Sequence, residues 1–190
     1  MHAIKPHLDR LYEQWNRPEY VSPDPLQAGR AYDDPHDREV AGLIASSLAF
    51  GNVKQILASI DTVLRVMPRP AAWLDGATPR AIRSAFNGFR HRYSPGADFS
   101  AMLIGAKSTR ERYGGLGAAF AACIEKDDED VSAGLGRFVA LLKRDGKENY
   151  LLPEPGRGSA CKRLHLYLRW MIRNDAVDLG CWSDVDPAKL

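Results

Sequence analysis

The chain has 190 residues, of which 45% are hydrophobic and 26% charged, and this is ordinary composition for a globular domain with a buried core. The formal net charge is only +2. The chain as a whole is therefore not a polycation, and any attraction for nucleic acid must come from local charge. No window approaches the ~18 apolar residues of a membrane span. We expect one domain over residues 1–190 and no partnership with a membrane.

The cysteines and the N-terminal residues indicate the compartment. Cys123, Cys161 and Cys181 are odd in number and widely spaced, which does not fit a disulfide framework. They form no C-x-x-C pair, so we expect neither a zinc ion nor an iron–sulfur cluster held by this chain alone. Residues 1–6 lack the apolar run of a signal peptide. The sequence therefore predicts a cytoplasmic protein with no metal and no other cofactor.

The predicted elements are almost all helices. In chain order, helical spacing of apolar residues covers 6–15, 37–50, 53–67, a short stretch after Pro79, a stretch from about Asp98, 116–124 and 131–143. Asp37, Asn52 and Thr78 are the predicted N-caps. Gly51 is the predicted C-terminal stop of the second helix. Because no alternating β-branched run and no Asn-Gly hairpin occurs, we expect an all-α, compact multi-helix domain.

A basic helix that follows a glycine-rich loop carries the strongest local charge. Residues 146–158 contain two prolines and three glycines and are predicted to be a loop, and Ser159 is the predicted cap of the next helix. From Gly156 to Arg173 there is no acidic residue. The basic residues of this stretch are Arg157, Lys162, Arg163, Arg169 and Arg173.

Helical spacing sorts this segment into two faces. One face carries Lys162, His165, Arg169 and Arg173. The opposite face, predicted to pack on the core, carries Ala160, Leu164, Tyr167, Leu168 and Met171. A solvated basic surface explains this pattern. A functional interpretation also fits, because a glycine-rich loop that opens a helix exposes backbone N–H groups to phosphate, although the P-loop pattern is absent.

Two blocks of sequence resemble a conserved bacterial family of unassigned function. They are GSACKR at 158–163 followed by LRWM at 168–171, and IASSLAFGN at 44–52. More distantly, the layout is similar to that of the helix-hairpin-helix DNA glycosylases, of the endonuclease III and 8-oxoguanine glycosylase kind. In those enzymes a loop between two early helices wedges into DNA, and a lysine of a later hairpin attacks the sugar. The resemblance implies that Phe50, Gly51 and Asn52 contact DNA. It also implies that Lys162 is the nucleophile.

The chain departs from the glycosylase pattern in several ways. Ala160 stands where the hairpin has its second glycine, the loop before it is longer, and the cluster-binding cysteines of endonuclease III are absent. The glycosylases also place a catalytic aspartate after the lysine helix, and no such block occurs before Leu190. The resemblance therefore implies a catalytic carboxylate beyond residue 190 and a domain truncated at its C-terminus.

Three functional hypotheses follow. The first is base-excision chemistry on damaged duplex DNA, in which Lys162 forms a Schiff base with the sugar, as in an N-glycosylase with lyase activity. The second is a non-catalytic helix-hairpin-helix module that grips duplex DNA. Its predicted contacts are Arg157, Gly158, Ser159, His165, Arg169 and Arg173. The third is a helical domain whose basic face meets an acidic protein.

The basic face predicts a specific salt dependence under both DNA hypotheses. Removing one cation that binds a phosphate of duplex DNA should lower the slope of log affinity against log salt by about 0.9. Arg169→Ala should therefore give a shallower slope. Arg163 projects about 100° away on the helical wheel, so Arg163→Ala should matter less.

Overall fold

The computed structural model describes residues 4–143 and 147–190, and this part of the chain is mostly helical. Its helices are α1 (Lys5–Trp15), α2 (Gln27–Arg30), α3 (Pro35–Ser47), α4 (Val53–Val66), α5 (Pro70–Gly76), α6 (Pro79–Ala85), α7 (Gly96–Tyr113), α8 (Leu116–Cys123), α9 (Val131–Leu142) and α10 (Lys162–Ile172). Short 3-10 turns lie at Pro18–Tyr20, Pro155–Arg157 and Pro187–Lys189. None of the helices within these ranges combines the length and apolar character needed to cross a bilayer. The expectation of a mostly helical chain is confirmed.

Two of the three N-caps predicted for the first two-thirds of the chain, Asn52 and Thr78, are in place, and the third is corrected. Asn52 caps α4 by accepting from the Lys54 N–H at 2.9 Å, and Thr78 caps α6 in the same way. Asp34, not Asp37, caps α3, because Pro35 takes the first helical position. The Asp37 carboxylate is buried instead and accepts from a backbone N–H at the start of α5. This side chain therefore joins two helices.

The end of α3 also differs from the prediction. The helix stops at Ser47, with Leu48 as C-cap, rather than continuing to Phe50. Gly51 has φ +106° and lies in the loop between α3 and α4, so it bends that loop instead of ending the helix directly. Phe50 is consequently a loop residue. The first residue of the predicted loop 146–158, Gly146, lies outside the described residues.

A short hairpin that the sequence pattern does not predict joins α6 to α7. Strand β1 (Arg90–His91) pairs antiparallel with β2 (Ser94–Pro95), with Arg90 opposite Pro95. Strands of two residues show no alternation, and the turn lacks the usual Asn-Gly or Asp-Gly signal. Arg92 adopts a left-handed conformation in this turn, with φ 55°. The hairpin brings its tip against the loop that follows α3.

α3 runs through the core and α10 packs directly on it. Every residue of α3 from 39 to 47 is buried. A Cβ atom at Gly42 would lie 2.6 Å from the Met171 Cε and 3.3 Å from the Tyr167 Cε2, so the two helices approach closely at this glycine. The Tyr167 hydroxyl donates to the Glu39 backbone carbonyl at 3.0 Å. These contacts set α10 in a defined position on α3.

A satisfied carboxylate network ties α3 to α7, α8 and the C-terminal segment. Glu39 accepts from the backbone N–H groups of Leu116 and Gly117 at 3.1 and 2.8 Å, and from the Trp182 indole at 2.8 Å. The Arg110 guanidinium lies 3.3 Å from the same carboxylate. Because these donors surround the buried charge, the network needs no ligand and is structural.

α1 forms where the sequence predicts it, but the rest of the described chain does not cover its apolar stripe. Leu8, Leu11, Tyr12 and Trp15 are each about half exposed, at 48–55%. The Tyr12 hydroxyl donates to Asp175 at 3.2 Å and links the helix to the segment after α10. α1 therefore adds little to the core.

Candidate functional site

Arg163, the second residue of α10, connects the two sequence blocks. Its guanidinium donates to the Ser47 carbonyl at 2.7 Å and to the Tyr150 carbonyl at 2.6 Å. The same group lies 4.7 Å from the Phe50 ring centre and 4.6 Å from the Tyr150 ring centre. Burial lowers the pKa of Arg163, which stays a cation. The start of α10 is thereby fastened to the end of α3.

Three aromatic rings gather around this guanidinium and form the feature that we call the aromatic patch: Phe50, Tyr93 and Tyr150. The Phe50 ring centre lies 5.5 Å from that of Tyr93 and 5.3 Å from that of Tyr150. The two tyrosine rings are 4.7 Å apart, and the Tyr93 hydroxyl donates to the Tyr150 hydroxyl. Phe50 is partly buried, whereas Tyr93 and Tyr150 are exposed. The patch combines three segments that are distant in sequence.

His91 contacts the aromatic patch through Phe50 and holds that residue in position. Its ring lies edge-on to Phe50 with centres 4.6 Å apart, and its Nε2 is 3.1 Å from the Phe50 carbonyl. A carbonyl only accepts, so Nε2 carries the proton, and Nδ1 then accepts from the Ser59 hydroxyl at 2.8 Å. Burial lowers the pKa of His91, which favours this neutral ring. The histidine is a positioning group, with both nitrogens occupied.

The loop between α3 and α4 fits under the hairpin tip. A Cβ atom at Gly51 would lie 2.5 Å from the Arg92 Nη1, so the glycine leaves space for the arginine to cross the loop. The Arg92 guanidinium also lies 5.8 Å from the Tyr93 ring centre. Phe50, Gly51 and Asn52, the loop residues singled out from sequence, are thus part of the patch or border it.

The patch is bordered by exposed cations. Lys54 lies in the first turn of α4, Arg90 and Arg92 lie in the hairpin, and Lys162 is the first residue of α10. In residues 4–143 and 147–190, none of these four side chains forms an ion pair with a carboxylate. A shallow hollow of about 350 Å³ between α4 and the hairpin includes Arg90, Arg92 and Gln55 in its lining. This surface combines positive charge with exposed rings.

A larger cleft lies on the other side of the hairpin. Its volume is about 880 Å³, and α6, the N-terminal half of α7 and the end of α9 line it. Its charged lining residues are four cations, Arg83, Arg90, Lys143 and Lys147, and two carboxylates, Asp98 and Glu148. None of the residues that line the cleft belongs to the two sequence blocks, whereas the aromatic patch lies where those blocks meet, so the patch is the better candidate.

The start of α10 differs from its predicted form. Cys161, with φ 44°, precedes the helix, and the Ser159 hydroxyl accepts only from the Cys161 N–H at 3.2 Å. Ser159 therefore does not cap the helix, which begins at Lys162. Ala160 is exposed, in contrast to the inward position that helical spacing predicts, because it precedes the first helical turn. The other predicted inward residues, Leu164, Tyr167, Leu168 and Met171, are buried.

Lys162 and Arg157 lie in contrasting environments. The Lys162 side chain is exposed, and within the described ranges its amino group has no hydrogen-bond or ion-pair partner. Arg157 pairs with Glu148 and with Glu154. Gly158 and Ser159 are exposed next to it, and His165 is partly buried. The loop therefore offers backbone groups, but its arginine is already neutralised.

The far end of α10 carries paired arginines. The Arg169 Nε lies 3.2 Å and the Arg173 Nε 3.4 Å from the same oxygen of Asp178, and Arg173 also pairs with Asp175 at 2.8 Å. Burial raises the pKa of Asp178. Burial acts in the same direction on Asp175, but hydrogen bonds from the Asp178 and Val177 N–H groups, Tyr12 and Arg173 outweigh it and lower its pKa to about 2. The predicted basic row is thus neutralised at this end.

The structure brings together some of the predicted site residues and separates others. Phe50, Gly51 and Asn52 lie with the start of α10, whereas Arg169 and Arg173 lie at its other end. Sequence reasoning missed the roles of His91, Arg92, Tyr93 and Tyr150. The local sequence signal among these four residues is the adjacent pair Arg92 and Tyr93, in the segment between α6 and α7. No three His, Cys, Asp or Glu side chains in the described part of the chain are grouped as metal ligands.

The fold and the patch define a helical protein with an aromatic, cationic surface, and the family comparison is consistent with the first sequence resemblance. Residues 24–190 match the family described as "Protein of unknown function (DUF2400)". Because this match covers most of the chain, the chain belongs to that family. No curated protein and no solved structure matches the chain. The expectation of a family of unassigned function is confirmed, and the similarity to the glycosylases stays a prediction.

Proposed function

We propose that this protein binds DNA through the aromatic patch and the cations that border it. The observation that carries the proposal is the convergence of the α3–α4 loop, the hairpin tip and the start of α10 on the Arg163 guanidinium. The resemblance to the glycosylases implies DNA contacts for two of these segments, the α3–α4 loop and the start of α10, and the two are neighbours in space.

The chemistry of the surface suits a polyanion that carries rings. Lys54, Arg90, Arg92 and Lys162 have no carboxylate partner in the described ranges, so each is available to neutralise a phosphate. Exposed tyrosine rings offer stacking surfaces for bases, which a purely phosphate-binding surface does not need. Tyrosine is also enriched at protein–protein interfaces, so the rings alone do not separate nucleic acid from an acidic protein. The layout shared with the glycosylases favours nucleic acid.

A titration by fluorescence anisotropy tests the proposal. The probe is a labelled duplex with a single-stranded tail, measured at several salt concentrations. Lys54→Ala and Lys162→Ala should each weaken binding and lower the slope of log affinity against log salt by about 0.7 to 0.9. Arg65→Ala is the matched control, because Arg65 is an exposed cation of α4 that already pairs with Asp61.

Two results would refute the proposal. The first is the absence of binding to any DNA probe at low salt, which would favour the protein-interaction hypothesis. The second is an equal change in salt slope for Arg65→Ala and for the two patch variants, since binding would then follow overall charge and not this surface.

A narrower proposal is that Lys162 acts as a nucleophile in a base-excision enzyme with lyase activity. It is supported by the position of the lysine, which opens α10 immediately before Arg163 and has no partner within the described ranges. The amine would attack the C1′ aldehyde of an abasic sugar and release water, leaving an imine.

Borohydride trapping decides this point. Reduction of the imine would link the protein covalently to abasic DNA. Lys162→Ala should abolish the adduct, and Lys54→Ala, which removes another patch cation, should retain it. If the full-length protein gives no adduct, the proposal that Lys162 is a nucleophile fails.

A further inference from the structure

We infer that the patch selects unpaired DNA, meaning single strands or bases displaced from a duplex, over intact duplex. This inference rests on the proposed function, because it names the form of DNA that the same surface takes. It starts from the exposure of the two tyrosines, 55% for Tyr93 and 46% for Tyr150. What distinguishes these two rings from the other exposed aromatic residues is that they lie together and beside a guanidinium.

Base faces are available to protein rings only when the bases are not stacked inside a helix. In a duplex the two faces of each base are covered by its neighbours, and the protein meets phosphates, sugars and base edges. Single strands expose these faces, and proteins that bind them combine aromatic platforms with a cationic path for the backbone. The aromatic patch and its border have both components.

The rings are already held in place before any ligand arrives. Arg163 lies against Phe50 and Tyr150, and its guanidinium is itself fixed by two backbone carbonyls. Tyr93 is tied to Tyr150 through their hydroxyls, and His91 is bonded to the Phe50 carbonyl. A preorganised platform loses little side-chain entropy when a base stacks on it. The fixed positions of the three rings therefore favour the stacking of a base on them.

The cations lie in or next to the segments that carry the rings. The Arg92 guanidinium lies 5.8 Å from the Tyr93 ring centre, and Lys54 and Lys162 lie in the first turns of the two helices whose preceding segments carry Phe50 and Tyr150. Phosphates that flank a stacked base would meet positive charge on more than one side.

A competition of DNA forms tests the inference. Three probes of matched sequence are compared at one salt concentration: a single strand of about 12 nucleotides, an intact duplex, and the duplex with a central unpaired segment. We expect the single strand and the interrupted duplex to bind about tenfold or more tightly than the intact duplex, since stacking one base changes affinity by that order.

Ring variants identify the residues responsible. Tyr93→Ala and Tyr150→Ala should each weaken single-strand binding by about tenfold or more while changing duplex binding little. Tyr93→Phe and Tyr150→Phe keep the rings and should retain the preference for unpaired DNA. Tyr20→Ala is the matched control, because Tyr20 is also an exposed tyrosine and contacts Trp15 instead of the patch.

The outcomes separate the inference from the proposed function. If all three probes bind equally and the ring variants have no effect, the inference is overturned while DNA binding stands. If no probe binds, the proposed function itself fails. If Tyr93→Phe and Tyr150→Phe lose the preference along with the alanine variants, the hydroxyls and not the ring faces are responsible, which also overturns the stacking argument.

Discussion

At its first turn α10 carries Lys162 and Arg163, and at its last turn Arg169, followed by Arg173. Helical spacing places Lys162, Arg169 and Arg173 on one basic face. In the structure Arg163 contacts two aromatic rings, and neither it nor Lys162 has a carboxylate partner in the described ranges, whereas Arg169 and Arg173 share the buried carboxylate of Asp178. Cations on one helix face therefore do not define one binding surface.

The difference has a physical origin in burial. A carboxylate removed from water needs counterions, and Asp178, which comes from the segment after α10, takes both nearby arginines. At the other end, the buried part of Arg163 is satisfied by carbonyls and ring faces, which leave its positive charge uncancelled. The arginines at the C-terminal end of α10 are therefore paired with a carboxylate, whereas the N-terminal end stays positively charged.

The largest effect should come from Arg163→Ala. This change removes two charge-assisted hydrogen bonds and the support of two rings, so we expect a loss of about 3 kcal/mol of stability together with weaker DNA binding. Chemical denaturation and anisotropy measure the two effects. Arg163→Lys keeps the charge but cannot bridge both carbonyls, so most of the loss should remain. Unchanged stability in both variants would show that this end of α10 is not held as described.

Asp178→Asn tests the C-terminal end of α10, where Asp178 pairs with Arg169 and Arg173. The substitution keeps the size of the side chain but leaves Arg169 and Arg173 without their shared charge, and we expect about 2 kcal/mol of destabilisation. Arg173 keeps its pair with Asp175, but the released Arg169 should steepen the salt dependence of DNA binding, which anisotropy at several salt concentrations measures. A slope identical to that of the unaltered protein would mean that the far end of α10 never reaches DNA.

Asp175, just after α10, and His91, next to the aromatic patch, should affect the stability of the protein in different pH ranges. The folded-state pKa of Asp175 is about 2, below the ordinary 3.8, so its contribution is present above about pH 4 and lost as the pH falls to about 2. The pKa of His91 lies below 6.5, so its contribution is lost as the pH falls below about 6.5.

Thermal unfolding measured from pH 8 to 2 should therefore show two declines in stability. Asp175→Asn should remove about 1 to 2 kcal/mol of the acidic one, and His91→Gln should remove the other. A single decline that neither substitution alters would contradict both assignments.

The smallest effect is expected for Arg169→Ala on DNA affinity. The helical wheel predicts a slope lowered by about 0.9. Because the Arg169 charge is already paired with Asp178, the structure predicts a change well below that value. Anisotropy with Lys162→Ala as the positive control measures it. A decrease in slope equal to that of Lys162→Ala would restore the prediction that the whole basic face binds DNA.

The local features of this chain could be predicted because they depend on neighbouring residues. Asn52 and Thr78 cap their helices through the N–H groups two and three residues later, and a short-range pattern reveals this. The buried face of α10 follows from its apolar spacing in the same way. The prediction failed at Asp37 and Ser159. Each is a good cap by type, but Asp34 followed by Pro35 was a better one, and α10 begins at Lys162, three residues after Ser159, with Cys161 in the cap position.

The candidate site was decided by tertiary structure. Arg163 and Ser47 are 116 residues apart, Tyr93 and Tyr150 are 57 apart, and His91 is 41 from Phe50. No periodicity within a helix encodes such pairs, since they depend on how α10 packs on α3 and where a short hairpin places its tip. Charge follows the same rule: sequence determined that α10 is basic, but only the packing of the segment after α10 decided which of its cations are already neutralised.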